Sequence, residues 1–118
     1  MTGHEHVVDE AAVRAVRAAM PTDESVAGVV ELFRLLGDPT RARLIFALAR
    51  TELCVCDLSE ALGVSESALS HQLRQLRHLR LVSHRRRGRQ VYYTLNDPHL
   101  ADLLNDVLGL VETREPAA

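Results

Sequence analysis

Residues 57–80 read DLSEALGVSESALSHQLRQLRHLR, and this stretch decides the fold. Asp57 can cap a short helix from Leu58 to Leu62, and Gly63, which tolerates positive φ, breaks it in a tight Gly63-Val64 turn. Ser65 then caps a longer helix over 66–80. At about 100° per residue, Leu69, Leu73, Leu76 and Leu79 cluster on one side of it, and Ser67, Ser70, His71 and Arg74 fall broadly opposite. Short helix, turn, longer helix is the helix-turn-helix pattern. The leucines can seat the second helix on a core, leaving hydroxyls, an imidazole and a guanidinium to reach base edges and phosphates in a major groove. Taken alone, the same outer face is also compatible with simple solvation.

The residues that follow weigh against simple solvation. After Leu79 the apolar period changes from 3.6 to about 2: Leu81-Val82-Ser83-His84, then Arg85-Arg86-Arg87-Gly88-Arg89, then Gln90-Val91-Tyr92-Tyr93-Thr94-Leu95. This predicts a two-stranded ribbon with a basic, glycine-containing tip, and helix plus ribbon makes a winged helix-turn-helix. Residues 67 to 91 hold seven arginines (74, 77, 80, 85, 86, 87 and 89) and no acid, a local charge of +7, whereas the rest holds seven arginines against sixteen carboxylates, −9. The formal net charge of −2 hides this division. A local positive field, not the total, attracts a polyanion. Arg86, Arg87 and Arg89 on the wing, with Arg74 and Arg77 on the helix, are therefore candidate phosphate contacts, and double-stranded DNA is the expected partner.

Around this module the chain reads as helices. Residues 1–8 form an expected mobile arm carrying His4 and His6. Asp9 can open a helix to about Met20, which Pro21 closes. Asp23 begins a second, with Val26, Val29, Val30, Phe33 and Leu36 at helical spacing and Gly37 at its end. Asp38-Pro39 caps and opens a third helix to about Arg50. Glu52-Leu53-Cys54-Val55-Cys56 reads as irregular. Asp97-Pro98 opens a last helix whose apolar positions 100, 103, 104, 107, 108 and 111 form a seam longer than so small a body needs, which predicts a second subunit. The expected fold is mainly α with a small β-hairpin: one winged helix-turn-helix domain over 9–118, dimerised through its N- and C-terminal helices.

At 118 residues and 13.1 kDa a two-domain enzyme is unexpected. Aromatics make up 3% of the chain, leaving the core to Leu, Val and Ala. The N-terminus lacks the charged and apolar regions of an export signal, and no apolar run approaches about 18 residues, so a cytoplasmic protein without a membrane span is expected. In a reducing compartment two cysteines one residue apart suggest metal ligation or redox chemistry, against the plainer reading of buried thiols.

Leu36-Gly37-Asp38-Pro39-Thr40-Arg41, Glu52-Leu53-Cys54-Val55-Cys56-Asp57-Leu58, Ser65-Glu66-Ser67-Ala68-Leu69-Ser70-His71-Gln72-Leu73 and Arg86-Arg87-Gly88-Arg89-Gln90-Val91-Tyr92-Tyr93 together resemble the motifs of the ArsR/SmtB metal-responsive repressors. The resemblance covers about residues 25 to 112. It implies a homodimeric repressor that binds its operator when metal-free and leaves it when metal binds. Within the family, Cys54-Val55-Cys56 is similar to the branch whose thiolate site joins these cysteines to ligands from the partner's N-terminal segment.

Two residues apart in a regular helix, Cys54 and Cys56 would point about 200° apart, so joint chelation needs extended backbone or the start of a helix. Two thiolates favour Zn, Cd or Pb, with arsenite a further inducer to test, and tetrahedral coordination asks for more ligands. His4 and His6 are the paired histidines on hand. The family's second site, on the C-terminal helix, is matched by Asp97 and His99. Its other two positions hold Leu110 and Thr113, with Glu112 the nearby oxygen ligand, so this second metal site reads as incomplete. Three other readings compete: a thiol redox switch at Cys54 and Cys56, disfavoured by the strain of a disulfide between i and i+2; a cysteine hydrolase or transferase, for which no triad or phosphate loop is visible; and a dimeric module whose wing meets protein. No catalytic residue or catalytic cofactor is expected.

Overall fold

The structure, a computed structural model, describes residues 7–114. The chain divides into two compact units, one up to Leu35 and one from Leu36. The first carries α1 (Glu10–Ala19) and most of α2 (Asp23–Leu36). Asp9 caps α1 by accepting from the Ala12 N–H at 3.0 Å, and Met20 leaves it in extended backbone before Pro21. In α2, Val26, Val29, Val30 and Phe33 are exposed to between 40 and 54%, an apolar face left open among the described residues.

The second unit holds α3 (Pro39–Arg50), β1 (Leu53–Cys54), α4 (Val55–Leu62), α5 (Glu66–His78), β2 (Val82–Arg87), β3 (Gln90–Leu95) and α6 (Pro98–Arg114). Asp38 caps α3 by accepting from Arg41 N–H at 2.9 Å, with Pro39 in the first turn. Gly63 ends α4 at φ 67°, its N–H donating to the Ser59 carbonyl, and Ser65 caps α5. Leu44, Ile45, Leu58, Leu69, Leu73, Leu76 and Val82 are fully enclosed, each burial contributing roughly 2 kcal/mol.

Four sequence expectations are corrected. Helix α5 stops at His78 and Leu79, 45% exposed, is its C-cap, so three leucines seat the helix instead of four. The chain then turns through Arg80 at φ 63°, whose carbonyl accepts from Asn96 Nδ2 at 2.8 Å. Helix α4 begins at Val55, and its N-cap is Cys54, not Asp57: Cys54 Sγ accepts from the Asp57 N–H at 3.5 Å. The stretch from Glu52 to Cys56, irregular by its sequence, contains a strand. β1 pairs antiparallel with β3, Leu53 with Tyr93 and Cys54 with Tyr92, giving a three-stranded sheet in the order β1-β3-β2 where a two-stranded ribbon was expected. Two residues are too few to show alternation in sequence. Finally, the α6 seam divides: Leu100 and Leu104 are buried within the chain, while Val107, Leu108, Leu110 and Val111 are exposed to between 37 and 56%. Among the described residues no helix is long and apolar enough to cross a membrane.

Candidate nucleic-acid interface and metal centre

Helix α5 presents Ser67, His71, Arg74 and Arg77 exposed and Ser70 half-buried, opposite the enclosed leucines. The face is ordered by its neighbours. Arg41 of α3 donates to Gln72 Oε1 at 3.3 Å and Gln75 Oε1 at 3.1 Å, and His71 Nε2 lies 3.5 Å from Gln75 Nε2. Beside it, β2 and β3 pair from Val82–Leu95 to Arg87–Gln90, leaving Gly88-Arg89 as a two-residue loop. Gly88 has φ 63°, the backbone a tight hairpin needs at its first loop position.

Side chains alternate between sheet faces, and this separates the wing arginines. His84 and Arg86 share one face with buried Val82, and Arg77 Nη1 reaches His84 Nδ1 at 3.2 Å, joining α5 and the wing. Arg85 and Arg87 lie on the other. There Arg85 grips Glu52 with two hydrogen bonds of 3.1 and 3.0 Å, Arg87 Nη2 lies 2.8 Å from Glu52 Oε1, and the Arg87 guanidinium stacks 4.3 Å over the Tyr92 ring. The Arg85 hydrogen bond is the main cause holding the Glu52 carboxyl below the usual glutamate range. Absence of nearby acids in the sequence therefore misled: the fold delivers Glu52 to the wing from 33 residues upstream. Arg86 and Arg89 are exposed and, of the wing candidates, lie away from Glu52.

Cys54 and Cys56 come together because Cys54 is still extended, at φ −84° and ψ 168°, while Cys56 already lies in the first helical turn. Their sulfurs are 2.9 Å apart, and with Asp57 they form a group whose ligand atoms all lie within 4.8 Å of one another. Cys54 is buried and Cys56 exposed, so the site opens on one side. The hydrogen bond with Cys56, then burial, push the Cys54 thiol up. Bonds of about 2.3 Å at tetrahedral angles would set two thiolates roughly 3.8 Å apart, within reach of a small side-chain rotation. Two sulfurs and one carboxylate from one short segment suit a borderline or soft ion and leave room for a fourth donor. Asp57, expected from the sequence only as a cap, joins the group instead; its spacing from Cys54, three residues on, is the signal for it. Gln90 was also missed, its Oε1 lying 3.9 Å from Cys56 Sγ.

His4 and His6 lie outside the described residues. At the start of α6, Asp97 Oδ1 accepts from both the backbone N–H and Nδ1 of His99 at 2.9 Å, bonds that lower the Asp97 carboxyl. Glu112 is near the far end of α6, and Thr113 donates its hydroxyl to the Leu110 carbonyl. Asp97, His99 and Glu112 are not brought together in this chain.

Residues 38–84 match the family of bacterial regulatory proteins described as the arsR family. The chain is 53% identical over 95 residues, 80% of its length and 72% of the relative's, to a transcriptional repressor SmtB homolog of Synechocystis. The chain belongs to the ArsR family. It is also 41% identical over 93 residues to the regulator NmtR of Mycobacterium tuberculosis, covering 78% of each chain. Among solved structures, the antimony-specific transcriptional repressor AntR shares 39% identity over 78% of this chain and 84% of its own, with a TM-score of 0.71. The homodimeric winged helix-turn-helix DNA-binding domain of a Mycobacterium bovis protein matches at 26% identity, 80% and 90% coverage and a TM-score of 0.65. This ArsR-family chain is a winged-helix transcriptional regulator and not an enzyme.

Proposed function

We propose that this ArsR-family protein is a metal-sensing repressor: a homodimer that holds operator DNA when metal-free and releases it when Zn, Cd, Pb or a trivalent metalloid such as arsenite binds at Cys54 and Cys56. The observation that carries the reading is the 2.9 Å approach of the two sulfurs beside Asp57, at the first turn of the helix that opens the helix-turn-helix. His4 and His6 are proposed to complete the coordination, and Asp97, His99 and Glu112 to form at most a second, incomplete site. Ser67, Ser70 and His71 are proposed to read base edges, with Arg74, Arg77, Arg86, Arg87 and Arg89 on phosphates. The exposed apolar faces of α2 and α6 support a second copy of the chain as their cover. A relative named for antimony favours metal over a thiol redox switch.

Release requires the ion to bind the low-affinity form more tightly, a coupling typically of about 1–3 kcal/mol, or 5- to 150-fold. The test is binding to a promoter fragment with and without Zn, Cd, Pb and arsenite. Tight metal-free binding lost with at least one of them is expected; binding indifferent to all, but lost on thiol oxidation, would return the redox reading.

A further inference from the structure

One face of the three-stranded sheet carries the sensor and half of the wing's charge together. Cys54 is the cross-strand partner of Tyr92, Arg87 stacks on Tyr92, and Glu52, two residues before Cys54, binds Arg85 and Arg87 at once. The Glu52 side chain is only 20% exposed while both arginines are more than half exposed, so the carboxylate is the fixed member and the guanidiniums the movable ones. Phosphates and Glu52 offer the same bidentate oxygen chemistry to the same two arginines. From this juxtaposition we infer that Glu52 is a positioning residue for DNA binding: it competes with backbone phosphates for Arg85 and Arg87 and ties the wing's charge to the strand that leads into the cysteine site. The second half of that statement rests on the metal-sensing reading; the competition does not.

In the competition account, Glu52 holds the two arginines on the sheet face away from α5 until DNA draws them off. A second link runs in parallel, since Cys56 reaches Gln90 at the wing's other strand. Anything that fixes Cys54 and Cys56 also fixes the base from which Glu52 reaches out, and so biases which oxygens the arginines take.

The test uses the full chain and a duplex operator. Two exposed ion pairs of ordinary strength set the expected gain for Glu52→Gln at about three- to tenfold tighter metal-free binding at fixed salt. The gain should vanish when Arg85→Ala and Arg87→Ala are added, which a general loss of negative charge would not require. In wild type and Glu52→Gln alike, Cd should raise the same near-ultraviolet thiolate absorption, but the ratio of DNA affinities without and with Cd should shrink in the variant. Unchanged or weaker metal-free binding by Glu52→Gln overturns the assignment, as does a gain that survives loss of both arginines. Should Glu52→Gln fail to fold by circular dichroism, Glu52→Asp, with its carboxylate drawn back by one methylene, must move affinity in the same direction or the inference falls. If Cd neither binds the thiolates nor releases DNA in wild type, the metal reading fails while the metal-free comparison still decides the role of Glu52.

Discussion

Cys54 joins a capping contact to the ligand role proposed for it, and substitution can separate the two. Its sulfur caps α4, accepting from the Asp57 N–H at 3.5 Å, and it is 3% exposed, so it is packed as well as placed to ligate. Ser in its place supplies a stronger cap, a gain of up to about 1 kcal/mol, which offsets the roughly 1–2 kcal/mol cost of burying a hydroxyl. Cys54→Ser should therefore melt within about 4 °C of wild type. Cys54→Ala loses the cap, about 1 kcal/mol, and leaves a methyl-sized void costing about as much again, so it should melt roughly 8 °C lower. Both lose a thiolate, and both should lose Cd-induced release while keeping metal-free operator binding at temperatures where they are folded. The assay is thermal unfolding by circular dichroism at one fixed protein concentration, because the proposed dimerisation would make the midpoint concentration-dependent, paired with operator binding by fluorescence anisotropy. A Cys54→Ser protein that still releases DNA with Cd would refute the ligand role; a Cys54→Ala protein as stable as wild type would refute the capping role.

Other outcomes follow from the same geometry. Leu108→Glu with Val111→Glu should yield a folded monomer by sedimentation with weak operator binding, whereas Leu104→Glu, at an 8% exposed core position, should lower the melting temperature instead. Arg86→Ala and Arg89→Ala should weaken binding to all sequences and flatten the salt slope by about one unit each, while Ser70→Ala and His71→Ala should relax base preference, read from a panel of altered operators. Asp97 has a folded-state carboxyl lowered by its bonds to His99, so its contribution to stability is present above the ordinary aspartate range and is lost as pH falls through the lowered value. Asp97→Asn should flatten the acid limb of the melting-temperature profile, and an unchanged profile would contradict this.

Most of the fold was legible because its signals are local. Capping residues Asp9, Asp38 and Ser65 and the glycines at 63 and 88 each act over four residues or fewer, and each is found where its chemistry places it, as are three of the four leucines expected on one face of α5. What escaped depends on distant partners. β1 exists because β3 offers Tyr92 and Tyr93 to it, and Glu52 meets the wing because that pairing carries it there. The cap at Cys54 escaped for another reason: sulfur is a weak acceptor outside the usual capping set, and Asp57 nearby looked the better choice. The α6 seam is apolar along its length, but periodicity cannot tell the positions that enter the chain's own core, Leu100 and Leu104, from those left exposed between Val107 and Val111.

If an ion held by Cys54 and Cys56 is what releases DNA, a single titration reads binding and release together. Cd is added to the wild-type protein–operator complex while thiolate charge-transfer absorption and DNA anisotropy are followed in the same sample. The account predicts that absorption rises and anisotropy falls together, saturating at the same number of metal equivalents, and that Cys56→Ser abolishes both changes. Release without the thiolate band, or release that persists in the cysteine variants and disappears with Asp97→Ala and His99→Ala, would contradict it and move the sensor to the C-terminal helix.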